Sequence, residues 1–298
     1  MDTPNFREIE LYIGPLQEWK GNRGTTRAIK IVSNGNVDTL KVHASISKHV
    51  VSIMNQSTIQ IWNLSRETIN AIRRGGVSVN LYVGYEGKAK ELLYSGGVIA
   101  CKTARQGTDI ITSLTCLAGG SNLMRSTTSK SYANGVSVSS VVNELASTIP
   151  GISVDKANIN VQGSIGFAGW SFVGSTKDAL DKLAYQFGFS WNIQDGKFVA
   201  VQDGKTIGSG ILLNATTGLR MVSPRLTGPL AIQEGVDIQA LWQPNSGPGR
   251  LVRVVSETNP ELNGSYACHS IEYDLCPKDD SWDMNITSFF TFGAWNGQ

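Results

Sequence analysis

The sequence is short of charge. Only 17% of its 298 residues are Asp, Glu, Lys or Arg, and 26 bases against 24 acids leave a net charge of +2. So even a balance gives no electrostatic footprint for tight nucleic-acid binding. No run approaches the ~18–20 apolar residues of a membrane-spanning helix, so no membrane insertion is expected. The opening residues carry no basic-then-apolar leader, which points to synthesis in a cytoplasm. Four cysteines (Cys101, Cys116, Cys268 and Cys276) form no Cys-x-x-Cys pair and no disulfide scaffold. Cys101 and Cys116 could face each other across a hairpin, but in a reducing compartment reduced, half-buried thiols are the expectation.

Chemistry-bearing patterns are equally sparse. Gly204-Lys205-Thr206 ends like a phosphate-binding loop, but Val199 stands where its first glycine should be, and a hairpin turn fits better. Gly247-Pro248-Gly249 lacks a third glycine and a strand–helix–strand context. No Gly-x-Ser-x-Gly elbow occurs. The histidines are His43, His49 and His269, with no His-Glu-x-x-His; His43 and His269 read as strand-face residues. Cys268, His269 and Cys276 lack the second ligand pair of a zinc site. Asp274, Asp279, Asp280 and Asp283 lack a calcium-loop pattern and read as a polar hairpin loop around Pro277. Trp62, Tyr82, Tyr85, Trp242 and Trp282 are assigned to strand packing. No catalytic residue, cofactor or metal is expected.

What the chain does hold is strand signal and glycine, with 32 Gly in all. Residues 7–13, 28–33, 37–46, 58–63, 77–85, 91–100 and 109–117 alternate apolar and polar or are β-branched, at the turn spacing of a barrel or sandwich. Asn34-Gly35 reads as a tight hairpin turn, and Gly96-Gly97 as a bulge or barrel bend. One helix interrupts this run. Ser65 caps it, Glu67 sits at its positive end, Arg73 and Arg74 at its negative end, and Gly75 stops it. Ile69 and Ile72 give it one apolar face.

The middle of the chain changes character. Residues 126–131 read as a linker and 138–149 as a modest helix. A second helix is capped by Ser175 and stopped by Gly188, with Leu180, Leu183, Ala184 and Phe187 on one face. Strands 189–193 and 198–202 flank Asp195-Gly196, a mirror-image hairpin turn. Strands return at 218–222, 236–242, 250–257, 265–274 and 281–290, punctuated by Pro224, Gly228-Pro229, residues 244–249 and Asn263-Gly264. The expected fold is mainly β with an α+β insertion: a β-barrel domain at 1–120, an α+β domain at 121–205 and a second β-barrel domain at 206–298.

The order of elements resembles a known family. Ile61-Trp62-Asn63-Leu64-Ser65, the short helix, Gly75-Gly76 and the strand ending Gly84-Tyr85-Glu86-Gly87 look like the first domain of bacteriophage baseplate hub proteins. Leu92 to Ile99 is similar to the strand that follows there. Residues 179–196 resemble the family's insertion; Gly249-Arg250-Leu251-Val252, Asn263-Gly264-Ser265-Tyr266 and Ser281-Trp282 resemble its second barrel. The long stretch before Ala28 and the Cys276-Pro277 loop depart from the pattern. The resemblance implies a structural virion protein of the tail baseplate and no enzyme: a homotrimer whose two tube-like barrels per chain alternate around a ring. That ring adapts a sixfold tail tube protein to a threefold central spike protein, beside other baseplate proteins, with DNA only in transit. On this reading Ser65, Glu67, Ile69, Arg73 and Arg74 lie at the contact between barrels. Two alternatives stay open. One is a carbohydrate- or receptor-binding tail module using exposed Trp170, Trp191 or Trp295. The other is a tail-associated peptidoglycan hydrolase, whose paired carboxylates a sequence alone does not reveal.

Overall fold

A computed structural model of the chain describes residues 6–20, 23–52, 55–227 and 232–291. Strands dominate it, as the alternation predicts. Gly228-Pro229 and Trp295 lie outside the described residues. The chain divides into two units. Unit 1 comprises residues 1–47, 55–118 and 272–283; unit 2 comprises 48–54, 119–271 and 284–298.

Unit 1 is built from β1 (Arg7–Lys20), β2 (Arg23–Ser33), most of β3 (Val42–His49), β4 (Gln56–Trp62), α1 (Arg66–Arg73), β5 (Ser78–Tyr85), β6 (Glu91–Gln106) and β7 (Asp109–Leu117). Its strands run in the order β3-β4-β7-β6-β5-β1-β2, each neighbouring pair antiparallel. The period-2 pattern does what it must: Ile9, Leu11 and Ile13 of β1 and Val79, Leu81 and Val83 of β5 are all fully buried, on one face of the pleat. The order is an open path, with β2 at one end and no pairing that closes it among the described residues. The closed barrel expected here is therefore replaced by an open, strongly paired sheet.

Two local readings change. Asn34-Gly35 does not make a hairpin: β2 neighbours β1 in the strand order, and β3 and β2 are not adjacent. Instead the Asn34 side chain accepts from the Asn36 amide at 3.0 Å and from Thr39 Oγ1 at 3.1 Å, folding the chain into a side-chain-stabilised turn. That turn ends the strand at Ser33, and β3 starts only at Val42. Gly96 serves packing rather than a bulge. A Cβ there would meet the Tyr94 hydroxyl at 2.5 Å and the Leu117 carbonyl at 2.9 Å, while the register shift against β7 falls between Val98 and Ala100.

Unit 2 adds α2 (Gly120–Arg125), β8 (Thr127–Tyr132), α3 (Val138–Ser147), β9 (Ser153–Asn160), β10 (Trp170–Ser175), α4 (Thr176–Phe187), β11 (Phe189–Gln194) and β12 (Lys197–Gln202). It continues with β13 (Ile211–Leu213), β14 (Leu219–Thr227), β15 (Ile232–Leu241), β16 (Leu251–Val254) and the larger parts of β17 (Gly264–Leu275) and β18 (Trp282–Phe290). β8 pairs with β10, and β11-β12-β9 form a second small sheet. One hydrophobic cluster joins these to α3 and α4: Val141, Val142, Leu145, Leu180, Leu183, Trp191 and Phe198 all lie within it. The stretch read as a linker at 126–131 is thus mostly β8; its Ser/Thr content hid a strand whose inner face is carried by Thr128 and Tyr132. The remaining strands run β14-β15-β18-β17, with β16 on β17 and β13 parallel to β16. This path too is open among the described residues.

The capping signals act as read. Ser175 accepts from the Asp178 amide, and Gly188 closes α4 at φ 64°. Asp195 and Gly196 both have positive φ, 52° and 76°, the mirror-image turn that β11 and β12 require.

Candidate assembly surface

The residues singled out for inter-barrel contact sit on and around α1 in unit 1. Asn63, at φ 57°, turns the chain out of β4. Its Oδ1 accepts from the Ile110 amide at 3.0 Å and its Nδ2 donates to Asp109 at 2.9 Å, pinning the helix entrance to the start of β7. Ser65 then caps the helix, accepting from the Thr68 amide at 3.2 Å. At the far end the Gly75 amide donates to the Ile72 carbonyl at 3.0 Å with Gly75 at φ 86°.

The helix separates the five residues into two groups. Ile69 is only 6% exposed and packs with Thr68, Ala71 and Ile72 into the interior of unit 1. It anchors the helix and is not open to a partner. Ser65, Glu67, Arg73 and Arg74 are exposed. Arg73 Nη2 donates to Thr103 Oγ1 at 2.5 Å, so its guanidinium lies against β6. Burial pushes the Cys101 thiol up, and the neighbouring Arg73 works against that. Arg105, two residues beyond Thr103 on the same strand face, bonds the Gly107 carbonyl at 3.1 Å. The surface next to the helix end therefore carries Arg73, Arg74 and Arg105.

Sequence reasoning missed a half-buried ion cluster on β1, β2 and β5–β6. Lys90 Nζ meets Glu8 at 2.8 Å and Glu10 at 2.5 Å, Lys30 meets Glu10 at 2.9 Å, and Tyr12 donates to Glu10 at 3.0 Å. Burial alone would raise Glu10, but the bonds from Lys90, Lys30 and Tyr12 outweigh it and hold the carboxyl at about 2. These partners are scattered from residue 8 to residue 90, and only the strand register brings them together.

The remaining candidates find ordinary partners. Lys41 pairs with Asp279 at 2.6 Å, and His43 contacts Asp274, so two of the four clustered aspartates have side-chain partners. Among the described residues no group of His, Cys, Asp and Glu is arranged to hold a metal. All four cysteines are free thiols. Cys101 opposes Leu114 and Cys116 opposes Val98, so the hairpin does not align them. Burial pushes Cys116 up to about 12 and raises Cys268 and Cys276 as well. Trp191 is 1% exposed and donates to Asp181 at 3.0 Å, so it offers no face to a sugar; Trp170 is half-buried against Tyr132 and Phe172. A pocket of about 330 Å³ in unit 2, lined by Val201, Asp203, Lys205, Cys268, His269 and Phe289 among others, holds a half-buried His269 whose pKa burial lowers.

No helix among the described residues is long and apolar enough to cross a membrane. No curated protein sequence matches the chain. The fold is shared with a tail protein from Neisseria meningitidis MC58 at 10% identity and TM-score 0.59, covering 96% of this chain and 98% of that one. It is shared also with the 43 kDa tail protein of prophage MuSo2 from Shewanella oneidensis at 12% identity and TM-score 0.59, covering 94% and 96%. A third is the E. coli c3393 protein, at 12% identity and TM-score 0.57, covering 87% and 76%. It is described as a component of the type VI secretion system structurally similar to the T4 tail proteins gp27 and gp5. The family model for baseplate hub gp41 matches residues 28–288, which span the helix, both small sheets and the C-terminal strands. The chain belongs to the baseplate hub gp41 family and is a structural component of a virion tail.

Proposed function

We propose that the chain is the trimeric hub that adapts a sixfold tail tube to a threefold spike. The carrying observation is the family match together with strand-rich sheets toward both ends of the chain. In this reading residues 1–120 and 206–298 are two tube-like β domains flanking an α+β domain at 121–205. Each is open within a single chain, and three copies place six such domains around one axis. The tail tube protein, the central spike protein and other baseplate proteins are the partners, and DNA only passes through. Low charge is consistent with this: a bore lined with cations would hold phosphates through counterion release, and the chain's net charge is only +2. The fold shared with the E. coli protein described as similar to gp27 and gp5 supports the assignment. No enzymatic step is proposed.

The exposed residues Ser65, Glu67, Arg73 and Arg74 form part of the contact between neighbouring copies, with Ile69 holding the helix beneath them. Arg73→Glu with Arg74→Glu tests this. The account expects the variant to fold and to run lighter than the wild type in native mass spectrometry at moderate salt. An undiminished assembly contradicts a role for this helix end.

A further inference from the structure

The pocket in unit 2 is walled by separate stretches of chain. Val50 follows β3, Val201 belongs to β12, Ala267 and His269 share one face of β17, and Phe289 and Phe290 end β18. Backbone bonds fix these walls in advance: the Val50 amide donates to the His269 carbonyl at 2.9 Å and the Gly249 amide to the Cys268 carbonyl at 2.7 Å. A preformed site lowers the ordering cost of filling it. The volume of about 330 Å³ is at the small end of ligand clefts, roughly 300–1,000 Å³, and suits one large side chain. Of these walls only His269 is polar. Its ring meets the Phe289 ring edge-on, with centroids 5.0 Å apart and planes at 83°. Among the described residues nothing hydrogen-bonds the imidazole. Burial, with His49 and Arg225 close by, lowers the His269 pKa, so at neutral pH the ring is neutral and offers one nitrogen as an acceptor. Gln202, also in the lining, is already committed to the Phe187 and Gly188 carbonyls at 2.8 and 2.7 Å, and Asp203 and Lys205 stand exposed at the rim.

The sequence that follows β18 supplies a group of matching chemistry. Thr291 Oγ1 donates to the Ser265 carbonyl at 3.5 Å, which keeps the chain beside β17. The next residues, Phe292-Gly293-Ala294-Trp295-Asn296-Gly297-Gln298, lie outside the described residues and carry no charge. Trp295 is five residues beyond Phe290, a reach of at most about 18 Å. Gly293 stands between them and takes either sign of φ without steric cost. Phe292, two residues from Phe290, has no length in which to turn back. An indole has an apolar body and one N–H donor but no acceptor, the complement of an apolar wall holding a single free acceptor. So short a tether gives an effective concentration on the order of millimolar, and a separate ligand at micromolar concentration starts about a thousandfold behind. The family match ends at residue 288, so Phe289, Phe290 and Trp295 all lie beyond the matched residues.

We propose that Trp295 folds back into this pocket of its own chain, laying the indole against the apolar walls and donating its N–H to the free nitrogen of His269. The contact fastens the residues after β18 across β17 and β12 and closes the pocket to other ligands. It gives Trp295 a role inside its own chain in place of a face offered to sugar. The proposal rests on unit 2 alone and is independent of the hub reading.

The test replaces Trp295 with p-benzoylphenylalanine in the full chain, irradiates the purified protein and maps the cross-linked peptides. Cross-links to peptides carrying Val201 or His269, on a band that keeps the single-chain mass under denaturing conditions, are expected. A band of double mass, which reports the pocket of a second copy, cross-links elsewhere in the chain, or none overturn the proposal. In parallel, diethyl pyrocarbonate reads the accessibility of His269, with His43 as the reference in the same chain. Trp295→Ala is expected to speed modification of His269 about fivefold, the factor carried by a typical net hydrogen bond, with His43 unchanged. An unchanged His269 rate overturns the proposal and leaves Trp295 open to water and to sugar. A faster rate at His43 as well reports loss of the fold, and the cross-link then decides alone. A wild type that is itself monomeric counts against the trimer reading and not against this contact.

Discussion

Glu10 gathers Lys90, Lys30 and Tyr12 onto one carboxylate, and that concentration makes it the clearest electrostatic lever in unit 1. Its pKa falls from 4.5 to about 2 on folding, so the unfolded chain binds the proton more tightly. The stability it contributes is complete above roughly pH 5 and is lost as pH falls through about 2. Glu10→Gln should cost roughly 1–3 kcal/mol at neutral pH. The gap from the wild type should close as urea titrations move toward pH 2; a gap that stays constant with pH contradicts the assignment. Gly96 is a second lever, of a steric kind. A methyl there meets the Tyr94 hydroxyl and the Leu117 carbonyl inside contact distance, so Gly96→Ala should destabilise by about 1–3 kcal/mol in the same titrations. An unchanged midpoint would show that Tyr94 moves aside freely.

Elements with local punctuation were legible in the sequence. The helix from Arg66 to Arg73 announced its cap, charges and stop through Ser65, Glu67, Arg73 and Gly75, all within one short window. So did α4 and the Asp195-Gly196 hairpin. Elements defined by distant partners were not. β8 reads as a Ser/Thr linker because its register with β10 lies some forty residues away, and β9 depends on a parallel pairing with β12. Asn34-Gly35 carries the hairpin signature, yet the side chain of Asn34 competes with the ladder and wins. The ion cluster on Glu10 was invisible for the same reason as β8: only register assembles it.

The segment Lys48–Ser52 in unit 2 shows long-range assembly most plainly. Lys48 pairs with Asp195 at 2.6 Å, Asn192 Nδ2 donates to the His49 and Val51 carbonyls at 2.8 and 2.6 Å, and Ser52 bonds Asp181 at 2.9 Å. Val50 packs with Val199, Val201 and Ile207. Asn192→Ala removes both carbonyl clasps, so amide exchange across residues 49–52 should speed up at least tenfold while α3 stays protected. Unchanged exchange would mean that Lys48 and Val50 suffice to hold the segment.

At the scale of the whole molecule the family assignment and the open sheets fit together. A structural tail protein low in charge is suited to protein contact rather than to phosphate binding. Among the described residues the two sheet-rich parts do not close into barrels; in the proposed reading the tubular form belongs to the trimer. The native mass of the purified chain tests that most directly. A species of three copies, giving rings in electron micrographs, is the predicted result. A chain that remains a single copy at micromolar concentration would contradict it.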